Sequence, residues 1–202
     1  MDKKVSDKST QASLPGGCRI TRREFARYWG ANALGRVLFY LTSFLPITWR
    51  GNSLLAGGYF WRRMKERFFF GDTNPTVVLD VSRNLVAAYT NLDCDGQKRF
   101  PVIRVLRERL YLIKSGARDG QRFAAMSGYE ADENSRALGR WVTFHPIVVN
   151  CMSTDREAWE KAKTKIPPSH WTALEIGLKQ IPHPAEPGLY DIVLPEEFTR
   201  PS

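Results

Sequence analysis

The sequence predicts an α+β protein: a small antiparallel β-sheet or partial barrel of about six strands, with basic helices on its N-terminal side and two helices at its C-terminal end. Two observations predict this. Apolar residues recur with helical spacing before Phe70 and again after Ser153, and between Thr76 and Val149 they fall into short β-branched runs at near-regular intervals. A third observation divides the chain. Met1 to Phe70 carries 13 Lys/Arg and 4 Asp/Glu, whereas Gly71 to Ser202 carries 17 of each, so the whole net charge of +9 lies in the first third. That third also holds 13 of the 24 aromatic residues. A basic, aromatic arm on a neutral body is suited to an anionic or interfacial partner. The expected organisation is a disordered leader over 1–17, a basic helical region over 18–70 and an α+β domain over 71–202.

Thr21-Arg22-Arg23-Glu24 has capping-box spacing and starts the first helix, with Phe25, Tyr28 and Trp29 as its apolar face and Gly30 as its stop. A second helix is expected from Ala33 to Phe44. Leu34, Val37, Leu38, Leu41 and Leu45 form one stripe, and Phe39, Tyr40 and Phe44 cover much of the rest, so it is buried in protein or in lipid. Pro46 ends it. A third helix, capped by Asn52 or Ser53, runs to Phe69. Its cations Arg62, Arg63, Lys65 and Arg67 lie toward the C-terminal end, where the helix dipole favours them. These helices, from Ala33 to Phe69, are expected to cover one face of the sheet. The uncharged runs Val37–Trp49 and Gly51–Trp61 are each well short of the roughly 20 residues of a spanning helix, and suggest a hairpin, interfacial or buried.

Gly71-Asp72 and Asn74-Pro75 read as stop signals, after which strands are expected over Thr76–Val81, Leu85–Leu92, Pro101–Leu106, Leu110–Lys114, Arg122–Glu130 and Arg140–Val149. Ser82-Arg83-Asn84 has tight-turn composition. Ser153 or Thr154 caps one C-terminal helix, Pro167-Pro168-Ser169 starts another, and Gly188–Leu194 adds a last short strand.

Tyr59 to Tyr190 resembles a bacterial family of unknown function, numbered 3239. Phe60, Arg62-Arg63, Phe68, Gly71-Asp72, Asn74-Pro75, Val77-Val78, the run Val86 to Leu92 and Pro101-Val102-Ile103 carry the resemblance, with Tyr129, Trp141, Pro146, Trp171 and Pro187-Gly188-Leu189-Tyr190 further on. It implies a single bacterial, non-secreted domain and supplies no catalytic role to carry over.

Candidate chemistry is sparse. His145, Cys151 and Asp155 have the residue types of a cysteine hydrolase, but their spacing argues only for proximity along the chain. Cys18, Cys94 and Cys151 are far apart and read as free thiols of a reducing compartment. His145, His170 and His183 are isolated, no metal or phosphate-loop motif is present, and no cofactor is expected. The N-terminus lacks a secretory apolar stretch, so the expected location is cytoplasmic, with association at the inner membrane surface. The favoured function is a non-enzymatic interaction module. Its candidate anionic-surface contacts are Arg22, Arg23, Arg27, Arg62, Arg63, Lys65, Arg67, Trp49 and Trp61. The alternatives are a small cysteine-dependent enzyme using His145 and Cys151, and a nucleic-acid binder, the less favoured because no reader motif appears.

Overall fold

The computed structural model describes residues 14–30, 32–44, 57–94, 99–132 and 137–198. The strands are β1 (Asp72–Asp80), β2 (Leu85–Asn91), β3 (Pro101–Arg107), β4 (Arg122–Glu130), β5 (Thr143–Val148) and β6 (Gly188–Asp191). They form one antiparallel sheet in the order β5-β4-β1-β2-β3-β6. Among the described residues, six α-helices accompany it: α1 (Arg22–Trp29), α2 (Ala33–Thr42), α3 (Gly57–Phe70), α4 (Val149–Met152), α5 (Arg156–Thr164) and α6 (Pro168–Leu178). The fold is therefore α+β, as the sequence predicts.

The sheet curls into a half-barrel. Register places Ala88, Val102 and Phe144 on one face, and Phe144 of β5 joins a buried cluster with Ala88 and Leu92 of the β2 end and Val102 of β3. β5 is not a neighbour of β2 or β3 in the sheet, so only curvature brings Phe144 to them. Backbone bonds from Trp141 N to Leu92 O (2.7 Å) and from Cys94 N to Gly139 O (3.0 Å) draw the β5 side toward the end of β2. Arg104 of β3 reaches Thr143 of β5, and Arg140 pairs with Asp191 of β6 at 2.6 Å. The convex face is covered by α6, whose Ala173 and Leu174 pack with Leu85, Ala87, Tyr89, Ile103 and Val105, and by α5 and α3 against β4.

Several expectations shift in position. Asn74-Pro75 does not interrupt the chain: β1 begins at Asp72, and the β2 ladder starts only at Thr76, which leaves Pro75 outside it. Leu110–Leu112 is a 3₁₀ turn rather than a strand. The Glu108 carboxylate accepts the Arg109 amide (2.7 Å) and turns the chain inward, so that Leu110 and Ile113 plug one end of the half-barrel. The predicted capping box at Thr21 is present, with Glu24 Oε2 taking the Thr21 amide at 2.8 Å. The start expected for the third helix, at Asn52 or Ser53, lies outside the described residues. The last residues of the expected leader, Leu14 to Gly17, are held as a strap: Thr73 N donates to Leu14 O (2.9 Å) and Gly16 N to Gly71 O (2.9 Å).

The expectation that Ala33 to Phe69 covers the sheet is met by α3 alone. Its Met64 and Phe68 are buried in the main core, while α2 packs on α1 and α3. Gly71 makes the tight turn from α3 into β1. A Cβ there would collide with the carbonyl oxygens of Arg67 and Ser127, both rigid backbone atoms. Gly71→Ala is accordingly expected to cost at least about 1–3 kcal/mol, read as a lowered melting temperature.

Candidate functional site

The arm is built outward from α1. Phe25 is fully buried and meets Phe39 of α2 edge-on (6.0 Å between centroids) and Trp61 of α3 (5.6 Å). Glu24 ties α1 to the main domain: its Oε1 accepts the Thr154 amide (2.6 Å), the Thr154 hydroxyl (2.9 Å) and the Ser153 hydroxyl (3.2 Å). Burial pushes this carboxyl up, but the hydrogen bonds from Thr154 and Thr21 outweigh it and hold it below the usual glutamate range. Tyr28 donates to the buried Glu108 at 2.9 Å.

With α1 and α3 so anchored, α2 is left on the outside. Leu34, Val37, Leu41 and Phe44 are 77%, 55%, 60% and 57% exposed. Their spacing places Leu34, Val37 and Leu41 on one face of the helix, and Phe44 continues that face beyond its end. Tyr59 and Phe60, near the described start of α3, add further exposed aromatic surface. Thr42 faces inward, its hydroxyl donating to Leu38 O (2.8 Å), and the close approach of Gly57 to Thr42 brings α2 against α3.

The sequence-predicted contacts divide in two. Arg23, Arg62, Arg63 and Lys65 are exposed. Arg62 is engaged by Glu66 at 2.9 Å, and Arg63 lies 5.7 Å from the Tyr59 ring. Lys65 lines a groove of about 410 Å³ with Cys18, Ile20, Phe69 and Phe70. Arg22 is half-buried, its guanidinium 4.0 Å over the Phe44 ring and 5.5 Å from Trp61. Arg27 is structural: it donates to Cys151 O (3.1 Å) and Met152 O (3.0 Å). Arg67 lies against Gly128 of β4, where burial and the neighbouring Arg63 lower its pKa. Trp61 packs on Phe25, and Trp49 lies outside the described residues. Arg36, exposed on α2, belongs with the free cations although the sequence reading passes over it.

The enzyme alternative finds its residues apart in role. His145 sits on β5 with Nε2 at 2.9 Å from Glu130 Oε1, out of line for a hydrogen bond. Cys151 is fully buried in α4, and burial and nearby Glu108 push its thiol well above the ordinary range, the opposite of an activated nucleophile. Asp155 caps α5 through the Glu157 amide (3.0 Å). Among the described residues no cluster of three or more His, Cys, Asp or Glu could hold a metal ion, and no helix is long and apolar enough to cross a membrane.

Comparison with known proteins yields a family and little else. No curated protein matches the chain significantly. A crystal structure from Corynebacterium diphtheriae, of a presumed membrane protein, is 19% identical with a TM-score of 0.48, covering 60% of this chain and all of the other. Residues 62–182 match the family described as protein of unknown function DUF3239, and since that stretch is more than half of its length, the chain belongs to this family.

Proposed function

We propose that the protein is a non-enzymatic module that docks on an anionic membrane surface through α2 and the cations around it. The observation that carries this reading is the exposed stripe of Leu34, Val37, Leu41 and Phe44 on a helix whose other side is built into the protein. Large exposed apolar residues aligned on one face mark an interaction surface. The charge around it selects the partner. Arg23, Arg36 and Arg63 are exposed and form no ion pair among the described residues, while the acidic groups nearby are committed, Glu66 to Arg62 and Glu24 to Thr21 and Thr154. Apolar side chains that enter the headgroup boundary, flanked by arginines that meet lipid phosphates, are the arrangement of an interfacial helix. On this reading the anionic surface is the inner face of a bacterial membrane.

The test is co-sedimentation of the full chain with vesicles of neutral and of anionic lipid. Binding to the anionic vesicles is expected to fall steeply with salt, because exposed charges are screened beyond about 8 Å at physiological ionic strength. Each arginine near an anionic leaflet contributes on the order of 1 kcal/mol. Replacing Arg23, Arg36 and Arg63 together by Gln is therefore expected to weaken binding by about two decades. A chain that ignores anionic vesicles at low salt, or that short DNA displaces from them, contradicts the reading.

A further inference from the structure

The groove of about 410 Å³ lies between the C-terminal half of α3 and the extended segment 18–20 that precedes α1. Lys65 and Phe69 are four residues apart, as are Glu66 and Phe70, so the four side chains form one wall. Cys18 and Ile20 are buried and form the floor. The Phe69 and Phe70 rings meet edge-on, 4.9 Å between centroids, yet Phe70 is 65% exposed and Phe69 38%. The volume falls within the roughly 300–1,000 Å³ of small-molecule sites.

The main chain beside the groove is already engaged. Gly16 N, Gly17 N and Cys18 N donate to the carbonyls of Gly71, Phe69 and Phe68 at 2.9, 2.9 and 3.0 Å. Lys165 Nζ donates to Pro15 O (2.9 Å) and Gly16 O (2.8 Å). These bonds fix the strap against the last turn of α3 and leave it no free run of main-chain groups with which to pair an extended peptide. The charges beside the groove are of one sign. Arg19 and Lys65 are exposed, and neither has an ion-pair partner among the described residues. Glu66, the acid of the groove, is held by Arg62 at 2.9 Å.

We infer that the groove takes one acyl chain of an anionic phospholipid, with the chain on Ile20, Phe69 and Phe70 and the phosphate against Lys65 and Arg19. A run of methylene groups asks no hydrogen bond of the walls, and it gains by covering the two exposed rings. A phosphate pairs with cations that no protein acid has taken. The inference rests on the membrane reading for the choice of a lipid. To the surface contact of α2 it adds a site that holds a single lipid molecule.

Isothermal titration calorimetry of the full chain with lauroyl lysophosphatidylglycerol, kept below its critical micelle concentration, tests it. Saturable binding of one molecule per chain is expected. Lys65→Gln and Arg19→Gln together are expected to weaken it about 30-fold, and Phe70→Ala alone about 5- to 10-fold. All three side chains are exposed, so the melting temperatures of these variants are expected to stay within about 2 °C of wild type. Monolauroylglycerol, the same chain without the phosphate, is expected to bind about 30-fold more weakly, and inorganic phosphate in excess is expected not to displace the lysolipid. Absence of saturable binding, equal binding by the folded variants, equal binding of monolauroylglycerol, or displacement by phosphate would each overturn the inference. The monomeric probe keeps the two readings apart. A chain that sediments with anionic vesicles but takes up no lysolipid keeps the α2 contact and lacks this site. One that takes up lysolipid at the groove but ignores vesicles keeps the site and contradicts the docking reading.

Discussion

Glu24→Ala is expected to cost the protein about 3–5 kcal/mol of folding stability, a large share of what a domain of this size possesses. The carboxylate takes the Thr21 amide and hydroxyl on one oxygen, and the Thr154 amide and the Thr154 and Ser153 hydroxyls on the other. Alanine leaves these donors unpaired at the junction of α1 with the α4–α5 connection, and an unpaired buried donor costs its full desolvation. The effect has a pH signature. The folded-state pKa of Glu24 lies below its ordinary value of 4.5, so its contribution is present above that value and is lost as the pH falls through 4.5 toward the depressed pKa. Asp72 and Glu108 act in the opposite sense. Burial raises both, so the stability their protonated forms confer is greatest in acid and is lost as the pH rises through their folded-state values. A wild-type acid titration therefore mixes the two signs. The difference in denaturant midpoint between wild type and Glu24→Gln isolates Glu24, and it is expected to shrink as the pH drops below 4.5.

Phe25→Ala is the second change expected to have a large effect, about 3–5 kcal/mol from lost burial and the cavity left behind. Its ring is held between Phe39 of α2 and Trp61 of α3, so it fixes how all three N-terminal helices sit together. Urea unfolding followed by tryptophan fluorescence measures both the loss of midpoint and the exposure of Trp61. If Phe25→Ala unfolds at the wild-type midpoint, the arm is not part of the cooperative unit. The burial of Phe25, Met64 and Phe68 in one cluster with Val78, Phe123 and Met126 of the sheet argues that it is.

What could be read in the sequence followed from local chemistry. Thr21 and Glu24 form a capping box because both halves of that device lie within one turn, and Arg122–Glu130 is a strand with the bounds that its composition indicates. The misplacements come from contacts distant in sequence. Leu110–Leu112 has strand composition but is turned into a plug by Glu108, whose partners Tyr28 and Val148 lie 80 and 40 residues away. Arg27 and Arg67 looked like surface cations because a charge run carries no record of the Cys151 carbonyl or the Gly128 gap that receives it. The stripe of α2 was legible as apolar, but its composition does not say which side the protein covers. Phe39 is consumed by Phe25, and Leu34, Val37 and Leu41 are left outside with Phe44. Asp72, Asn74 and Thr76 alternate onto one face of β1, a strand pattern that a stop-signal reading of Asn74-Pro75 conceals.

The central claim is that α2 presents a lipid-facing surface rather than a part of the core, and partition of Leu41→Asp onto anionic vesicles tests it most directly. Leu41 is 60% exposed, so the substitution is expected to stay within about 0.5 kcal/mol of wild type in folding stability. On the vesicle it removes an apolar side chain and adds a charge of the leaflet's own sign, and binding is expected to fall about 30- to 100-fold. A Leu41→Asp protein that folds normally and binds anionic vesicles as tightly as wild type contradicts the account.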